Sequence, residues 1–284
     1  MDWGIIDTHL HVWDTARFRV AWLDDIPFLN RSYLPADYRE ACETVRVDKM
    51  VFIQAEVERS QSFAEAEWVA ELARQDDPRI TGIVAWAPLE LGDGARPALE
   101  RLATMPLVKG IRRLVQNEPD PEYCLQPGFV QGVRALPEYG LHCEYGLMYR
   151  QMAATVRLVA QCPDVRFILD HIGKPDIRNG MREPWWSEMR TLASFPNVWC
   201  KLSGLATEAD YEHWTTQQLR PYMDHVLECF GAGRVMFGSD WPVIEQACAF
   251  PRWVEIVRSA LSSCSESERK QVLRDNAVAF YRLE

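Results

Sequence analysis

The sequence predicts an α/β protein, a single closed (β/α)8 TIM barrel with its chemistry at the C-terminal mouth. Three observations carry that expectation. Eight short apolar runs recur along the 284 residues, separated by stretches of helical periodicity. Most of the runs are near-continuously apolar, as strands covered on both faces are. Histidines and carboxylates collect at the C-terminal ends of these runs, where a barrel's strands converge on one mouth. An open eight-stranded parallel sheet would leave unprotected edges. No Gly-x-Gly-x-x-Gly follows any run, so a dinucleotide-binding sheet has no support. One domain is expected over 1–284, distorted by an excursion near its start.

The elements follow in order. The first strand is Gly4–His11. Trp13–Thr44 is then long for a strand-to-strand connection, and such an excursion over a barrel mouth usually shapes the site. The second strand is Met50–Glu56, followed by a helix at Phe63–Arg74 with Trp68, Val69, Leu72 and Ala73 along one stripe. Strands at Ile80–Pro88, Val108–Leu114 and Leu141–Leu147 come next, with Pro127 suited to a first helical turn between the last two. A helix at Arg150–Gln161, strands at Arg166–Gly173 and Val198–Gly204, and a helix at Leu219–Phe230 continue the alternation. The eighth strand is Arg234–Pro242. Helices at Pro251–Ser262 and Glu266–Leu283 end the chain, the last opened by a capping box of Ser265 and Glu268.

Bulk composition narrows the class. Hydrophobic residues make up 48% of the chain, enough for a large core and too many for disorder. The net charge of −10 excludes the basic footprint that nucleic acid or an anionic membrane surface requires. No apolar stretch reaches the ~18 residues that span a bilayer. The start, Met1-Asp2-Trp3-Gly4, lacks the basic beginning and apolar core of a signal peptide. The eight cysteines are scattered without a C-x-x-C pair and read as reduced, buried hydrophobes. These features together predict a cytoplasmic protein without a nucleic-acid or membrane partner; a monomer or small homo-oligomer is expected.

The site begins at Asp7-Thr8-His9-Leu10-His11. Alternation along a strand puts Asp7, His9 and His11 on one face, and two converging imidazoles suit half a metal site or an acid–base cluster. The other strand ends contribute Gln54, Arg112 and Arg113, Glu144, His171 and Asp240. Arg112 and Arg113 alternate faces, so only one points inward. Glu144 has two readings, a site carboxylate or an ion-paired one facing a helix. Trp22, Trp86 and Trp241 fall on mouth-side segments and suit stacking on a sugar ring. His142, His213 and His225 read as structural.

These residues lie in a longer set of ordered motifs: I-I-D-T-H-L-H-V-W-D at Ile5–Asp14, K-G-I-R-R at Lys109–Arg113, E-P-D-P at Glu118–Pro121, L-D-H-I-G-K-P at Leu169–Pro175, C-K-L-S-G-L at Cys200–Leu205, F-G-S-D-W-P at Phe237–Pro242 and D-N-A-V-A-F-Y at Asp275–Tyr281. The set resembles the amidohydrolase superfamily over essentially the whole chain, in its amidohydrolase-related branch of sugar-lactonase-like proteins. The resemblance implies a distorted barrel, hydrolysis at its C-terminal mouth, and metal ligands at His9, His11, His171 and Asp240. Binuclear members carry a lysine or glutamate at the end of strand 4 and a histidine at the end of strand 5. Here Lys109 comes too early in its strand, and Glu144 stands near the place of that histidine as a fifth candidate ligand. One divalent ion, such as zinc, is therefore expected rather than two, with its necessity left open.

The reaction so implied is opening of a sugar-acid lactone, such as L-fuconolactone, to the aldonate. Asp240 would be the base for water and His171 a polarising group, while Gln54, the inward arginine and Trp241 would contact the substrate. Two rivals remain at this stage: a metal-dependent decarboxylase on the same fold, and a barrel that binds sugar or metal without catalysis.

Overall fold

The computed structural model describes residues 3–283. Met1, Asp2 and Glu284, which the 1–284 expectation includes, lie outside the described residues, as do the first two residues of the start read for a signal peptide. Eight parallel strands form one sheet in sequence order. They are β1 (Ile5–Leu10), β2 (Val47–Ile53), β3 (Ile80–Ala85), β4 (Val108–Arg112), β5 (His142–Tyr145), β6 (Phe167–Leu169), β7 (Val198–Leu202) and β8 (Val235–Phe237). Helices α1 (Pro35–Ala41), α2 (Ser62–Gln75), α3 (Arg96–Ala103), α4 (Pro127–Ala135), α5 (Met152–Gln161), α6 (Trp185–Ala193), α7 (Thr216–Phe230) and α8 (Phe250–Ala260) follow them in turn. The barrel closes just past β8. There the His11 N–H donates to Trp241 O and the Asp240 N–H to His9 O, both at 2.7 Å, and Leu10 bridges Trp241. The seam of the barrel thus lies among the candidate site residues.

All eight expected strands are present, but several stop short of their predicted C-terminal ends. β6 ends at Leu169 and β8 at Phe237 because the chain turns left-handed just beyond, at His171 (φ 50°), Ile172 (φ 49°) and Asp240 (φ 64°). Non-glycine residues rarely adopt this conformation, and each costs on the order of 1–3 kcal/mol. The last helix runs from Glu266 to Tyr281 with one π turn inside it. Its capping box forms, with Ser265 Oγ accepting from the Glu268 N–H at 3.3 Å. It then runs as α9 (Glu266–Lys270), a π-turn at Gln271–Asp275 and α10 (Asn276–Tyr281).

The chain end plugs the barrel. Ala277, Phe280, Tyr281 and Leu283 pack with Ile6, Val51, Ile53, Val84, Ile168 and Met236, closing the interior at the strands' N-terminal ends. Six of the eight cysteines are buried and all eight are free, as expected for small core residues. Among the described residues, no helix is long and apolar enough to cross a membrane. The excursion after β1 folds back on itself through a Trp13–Tyr33 bridge and carries α1.

One buried carboxyl burdens this fold. Glu65 on α2 is 1% exposed and accepts the Ala55 N–H at 2.8 Å, fastening the helix to the end of β2. Burial pushes its pKa up to about 8. The folded state therefore keeps this proton to higher pH than the unfolded chain does. Stability present below the ordinary carboxylate pKa is lost as pH rises toward 8. Glu65→Gln keeps an acceptor for Ala55 and removes the titration. The gain in Tm of E65Q over the wild type is expected to be larger at pH 8 than at pH 5, which melting curves at the two pH values check.

Candidate active site

β1 does not present the face that simple alternation predicts. Its pairing with β2 shifts register between Asp7 and Leu10. Ile6 packs in the barrel interior, while the Asp7 carboxylate accepts from Tyr38 of α1 at 2.8 Å and from the Ser239 N–H at 2.8 Å. His9 and His11 still meet, with ring centroids 5.0 Å apart. The irregularity thus keeps the Asp7 carboxylate away from the imidazoles; the carboxylate accepts the His9 backbone N–H at 3.1 Å and braces the seam. Burial raises the Asp7 pKa to about 6.

Three imidazoles converge on one carboxylate oxygen. Asp240 Oδ1 lies 3.4 Å from His11 Nε2, 3.6 Å from His9 Nε2 and 3.9 Å from His171 Nε2. Asp240 is held beside His9 by its own backbone bond across the seam. His171 reaches the cluster because its left-handed turn brings its ring to 4.3 Å from that of His9, between centroids. Its Nδ1 lies 2.9 Å from Ser203 Oγ, which orients the ring. A side chain at Gly204 would place its Cβ 2.6 Å from His171 Nδ1, so only glycine fits there.

The electrostatics are consistent with a neutral-imidazole, ionised-carboxylate site. Burial, reinforced by His171 and Lys201, lowers the His9 pKa well below its ordinary value. Burial lowers that of His171 to about 4, against the pull of Asp240. For Asp240 burial acts upward, but His171, His11 and His9 outweigh it and hold the carboxyl below the usual carboxylate range. Protonation of His171 as pH falls through about 4 would add positive charge and withdraw a donor. The acid limb of kcat/KM is therefore expected near pH 4, not near the ordinary imidazole value of ~6.5. A pH–rate profile from 3.5 to 8 checks this.

The donor set fits a divalent cation. His11 Nδ1 lies 2.7 Å from the carbonyl oxygen of Ile53, which can only accept, so Nδ1 carries the proton. In the neutral ring the Nε2 lone pair then faces an anionic oxygen, an arrangement a cation between them relieves. Tetrahedral donors at about 2.1 Å from zinc stand about 3.4 Å apart, close to the spacings seen here. His9, His11 and Asp240 form one compact group of potential ligands, and His9, Asp170 and His171 form a second that shares His9. Both Asp170 oxygens are buried and lack a well-formed hydrogen bond.

The other candidate residues divide. Arg112 is the inward arginine: it donates to Gln54 O at 2.6 Å and lies 3.5 Å from His9 Nε2 and 3.6 Å from Asp170 Oδ2. Arg113 faces outward and ties mouth loops together through Glu90 at 3.1 Å and Glu118 at 2.6 Å. The Gln54 side-chain amide is engaged by Glu56, leaving its backbone carbonyl as the group that serves the site.

Trp241 is not open for stacking. It is 1% exposed, its indole N–H donates to Glu245, and its ring packs edge-on against Tyr33 and Tyr38. Glu144 does not join either ligand group. It lies deeper in the barrel, where it accepts from Lys201 and from Tyr281 at 2.5 Å each and contacts His142 at 3.1 Å. Lys109, second in β4, donates to Pro106 O at the strand's start, far from a bridging position.

Lys201 and Asp170 belong to the site and were missed by the sequence reading. Lys201 Nζ lies 2.5 Å from Glu144, 3.2 Å from Asp170 and 3.4 Å from His9 Nδ1, in full burial. A signal existed. Val198-Trp199-Cys200-Lys201-Leu202 is an otherwise apolar run, and a lysine inside a doubly covered strand needs a carboxylate partner. Asp170 gave no such signal, because adjacent strand residues should face opposite ways. The left-handed turn at His171 lets both reach His9.

Comparison with known proteins places nearly the whole chain in a family. A protein from Burkholderia multivorans described as an L-fucono-1,5-lactonase is 30% identical, with 98% of this chain and 96% of that one aligned. Another from Burkholderia ambifaria, with the same description, is 28% identical over 98% and 96%. A crystal structure of an amidohydrolase from Burkholderia multivorans with bound zinc superposes with a TM-score of 0.88, at 29% identity over 99% of this chain and 100% of that one. Residues 6–283 match the family model described as amidohydrolase, and the chain belongs to the amidohydrolase family.

Proposed function

We propose that this protein hydrolyses a sugar-acid lactone, such as L-fuconolactone, to the open aldonate. The observation that carries the reading is the convergence of three imidazole nitrogens on Asp240 Oδ1 beside Arg112. The lactonase descriptions of the Burkholderia relatives support the same chemistry. A lactone needs a base for water, positive charge at its carbonyl oxygen, and positioning. Asp240, ionised and hydrogen-bonded across the seam, takes the proton from water and returns it to the ring oxygen as the C–O bond breaks. Arg112 brings a guanidinium to the same space, anchored by Gln54 O so that it stays aimed. His171, held by Ser203, polarises the carbonyl.

His9, His11, His171 and Asp240 would hold one divalent ion such as zinc, with Asp170 as a further acceptor beside His9. When bound it supplies Lewis acidity and lowers the pKa of water. The Arg112 guanidinium already brings positive charge next to His9, and an ester carbonyl is more electrophilic than an amide. Chelation is therefore expected to lower lactonase turnover by less than ~tenfold. A pH-indicator screen of aldonolactones, run on protein verified metal-free and on the same protein with one equivalent of zinc, tests both statements. Complete loss restored by zinc would make the ion essential. Release of CO2 from an aromatic acid with no lactone opened would favour a lyase.

A further inference from the structure

A cleft of about 680 Å³ opens among the loops after β5, β6 and β7, and the mechanism above does not use it. Two of its three walls are continuous with the site. The Lys174 N–H donates to His171 O at 2.9 Å, so residues 174–178 continue the turn that carries His171. Gly204, packed against His171 Nδ1 and 3.1 Å from Asp240 Oδ2 as measured from a Cβ position, leads into residues 207–213. Ion pairs span the cleft: Lys174 Nζ lies 3.0 Å from Glu208 Oε1, and Arg178 lies 3.8 Å from Asp210. The Arg178 N–H also donates to Glu208 O at 3.0 Å.

The lining carries three cationic and four acidic side chains, so it has no surplus of positive charge. A pocket for a substrate bearing extra carboxylates would need uncompensated cations. A hydroxyl both donates and accepts, so a wall that alternates ammonium and carboxylate suits neighbouring hydroxyls. At the rim Tyr211 is 47% exposed, unusually open for a large ring in a cleft, and an aromatic face packs well on the C–H side of a sugar. Burial works against the Lys174 ammonium, but Glu208 and Asp240 outweigh it and raise its pKa, which keeps it charged next to the reacting carboxylate.

We infer that this cleft binds the hydroxylated part of the lactone, with Lys174 and Glu208 reading adjacent hydroxyls and Tyr211 covering the apolar face of the ring. The inference rests on the lactonase reading and adds the residues that recognise the hydroxyls of its substrate. It makes the three residues specificity determinants and assigns them no part in bond breaking.

The test compares kcat/KM for a polyhydroxylated aldono-1,5-lactone with kcat/KM for δ-valerolactone, which has the same ring and no hydroxyls. The readout is the ratio of the two, in the wild type and in Glu208→Gln, Lys174→Met and Tyr211→Ala. The wild type is expected to favour the hydroxylated lactone at least a hundredfold. The variants should cut that ratio tenfold or more, chiefly through KM, because a site that hydrogen-bonds hydroxyls discriminates strongly against analogues lacking them. Glu208→Gln is isosteric and Tyr211 is at the surface, so at least two variants keep the fold if Lys174→Met does not. A wild-type ratio near one, or ratios unchanged within threefold in E208Q and Y211A, overturns the subsite and leaves the lactonase reading standing. A wild type that opens neither lactone overturns the lactonase reading and the subsite with it.

Discussion

Asp240→Asn is expected to lower lactone turnover by at least ~10²–10⁴-fold with little change in fold, because it removes the proposed general base and, with it, the anion that faces the three imidazoles. The backbone makes the comparison clean. Asp240 sits at φ 64°, and asparagine tolerates the left-handed region as well as aspartate does. The bond from the residue 240 N–H to His9 O at 2.7 Å does not involve the side chain, so the seam of the barrel survives. The amide has the carboxylate's shape, yet it cannot accept water's proton and offers the imidazoles no anion. Steady-state turnover on purified protein, with circular dichroism as the folding control, measures the effect. Near-wild-type turnover in a folded D240N would show that another group is the base.

Lys201→Met is expected to destabilise the protein by about 3–5 kcal/mol, the usual consequence of leaving buried charge without its partner. Lys201 Nζ is the shared cation between Glu144 and Asp170, all three fully buried. Burial alone would raise the Asp170 pKa; Lys201 and then Arg112 outweigh it and keep it low. Methionine has similar length and no charge. It therefore strands two carboxylates in the centre of a barrel whose lower half is apolar. A loss of this size lowers Tm by on the order of 10 °C. Thermal denaturation of K201M measures it, and a Tm within 2 °C of the wild type would show that the two carboxylates do not need this cation.

The two expectations concern different layers of one axis. From the strands' N-terminal ends upward, Tyr281 meets Glu144, Glu144 meets Lys201, Lys201 meets Asp170 and His9, and His9 meets Asp240. The plug formed by α10 is thereby connected to the catalytic mouth through side chains alone. The reading of Glu144 as a ligand failed for this reason. Its position in β5 faces the interior, one of the two readings the sequence left open, but at a depth below the mouth.

What the sequence determined by itself is everything governed by local period and composition. The eight apolar runs specify eight strands, their alternation with helical stretches specifies parallel pairing, and the run ends carry His9, His11, His171 and Asp240, which the structure brings together. The free cysteines and the Ser265–Glu268 cap were legible on the same local grounds.

Only the tertiary structure decided the rest. Register shifts and left-handed turns set which neighbour of a functional residue shares its face. They turned the Asp7 carboxylate away from the imidazoles, brought Asp170 toward them, and cut β6 and β8 short. Packing decided that Arg112 points in and Arg113 out, that Trp241 is walled by Tyr33 and Tyr38, and that Lys201 is neutralised from two strands at once. Those outcomes depend on contacts between residues far apart in the chain, such as Trp241 with Tyr33 or Lys201 with Glu144. The energy of such contacts exists only once the barrel has closed, so a local pattern can signal that a partner is needed, as the lysine in Val198–Leu202 does, but not which partner it is.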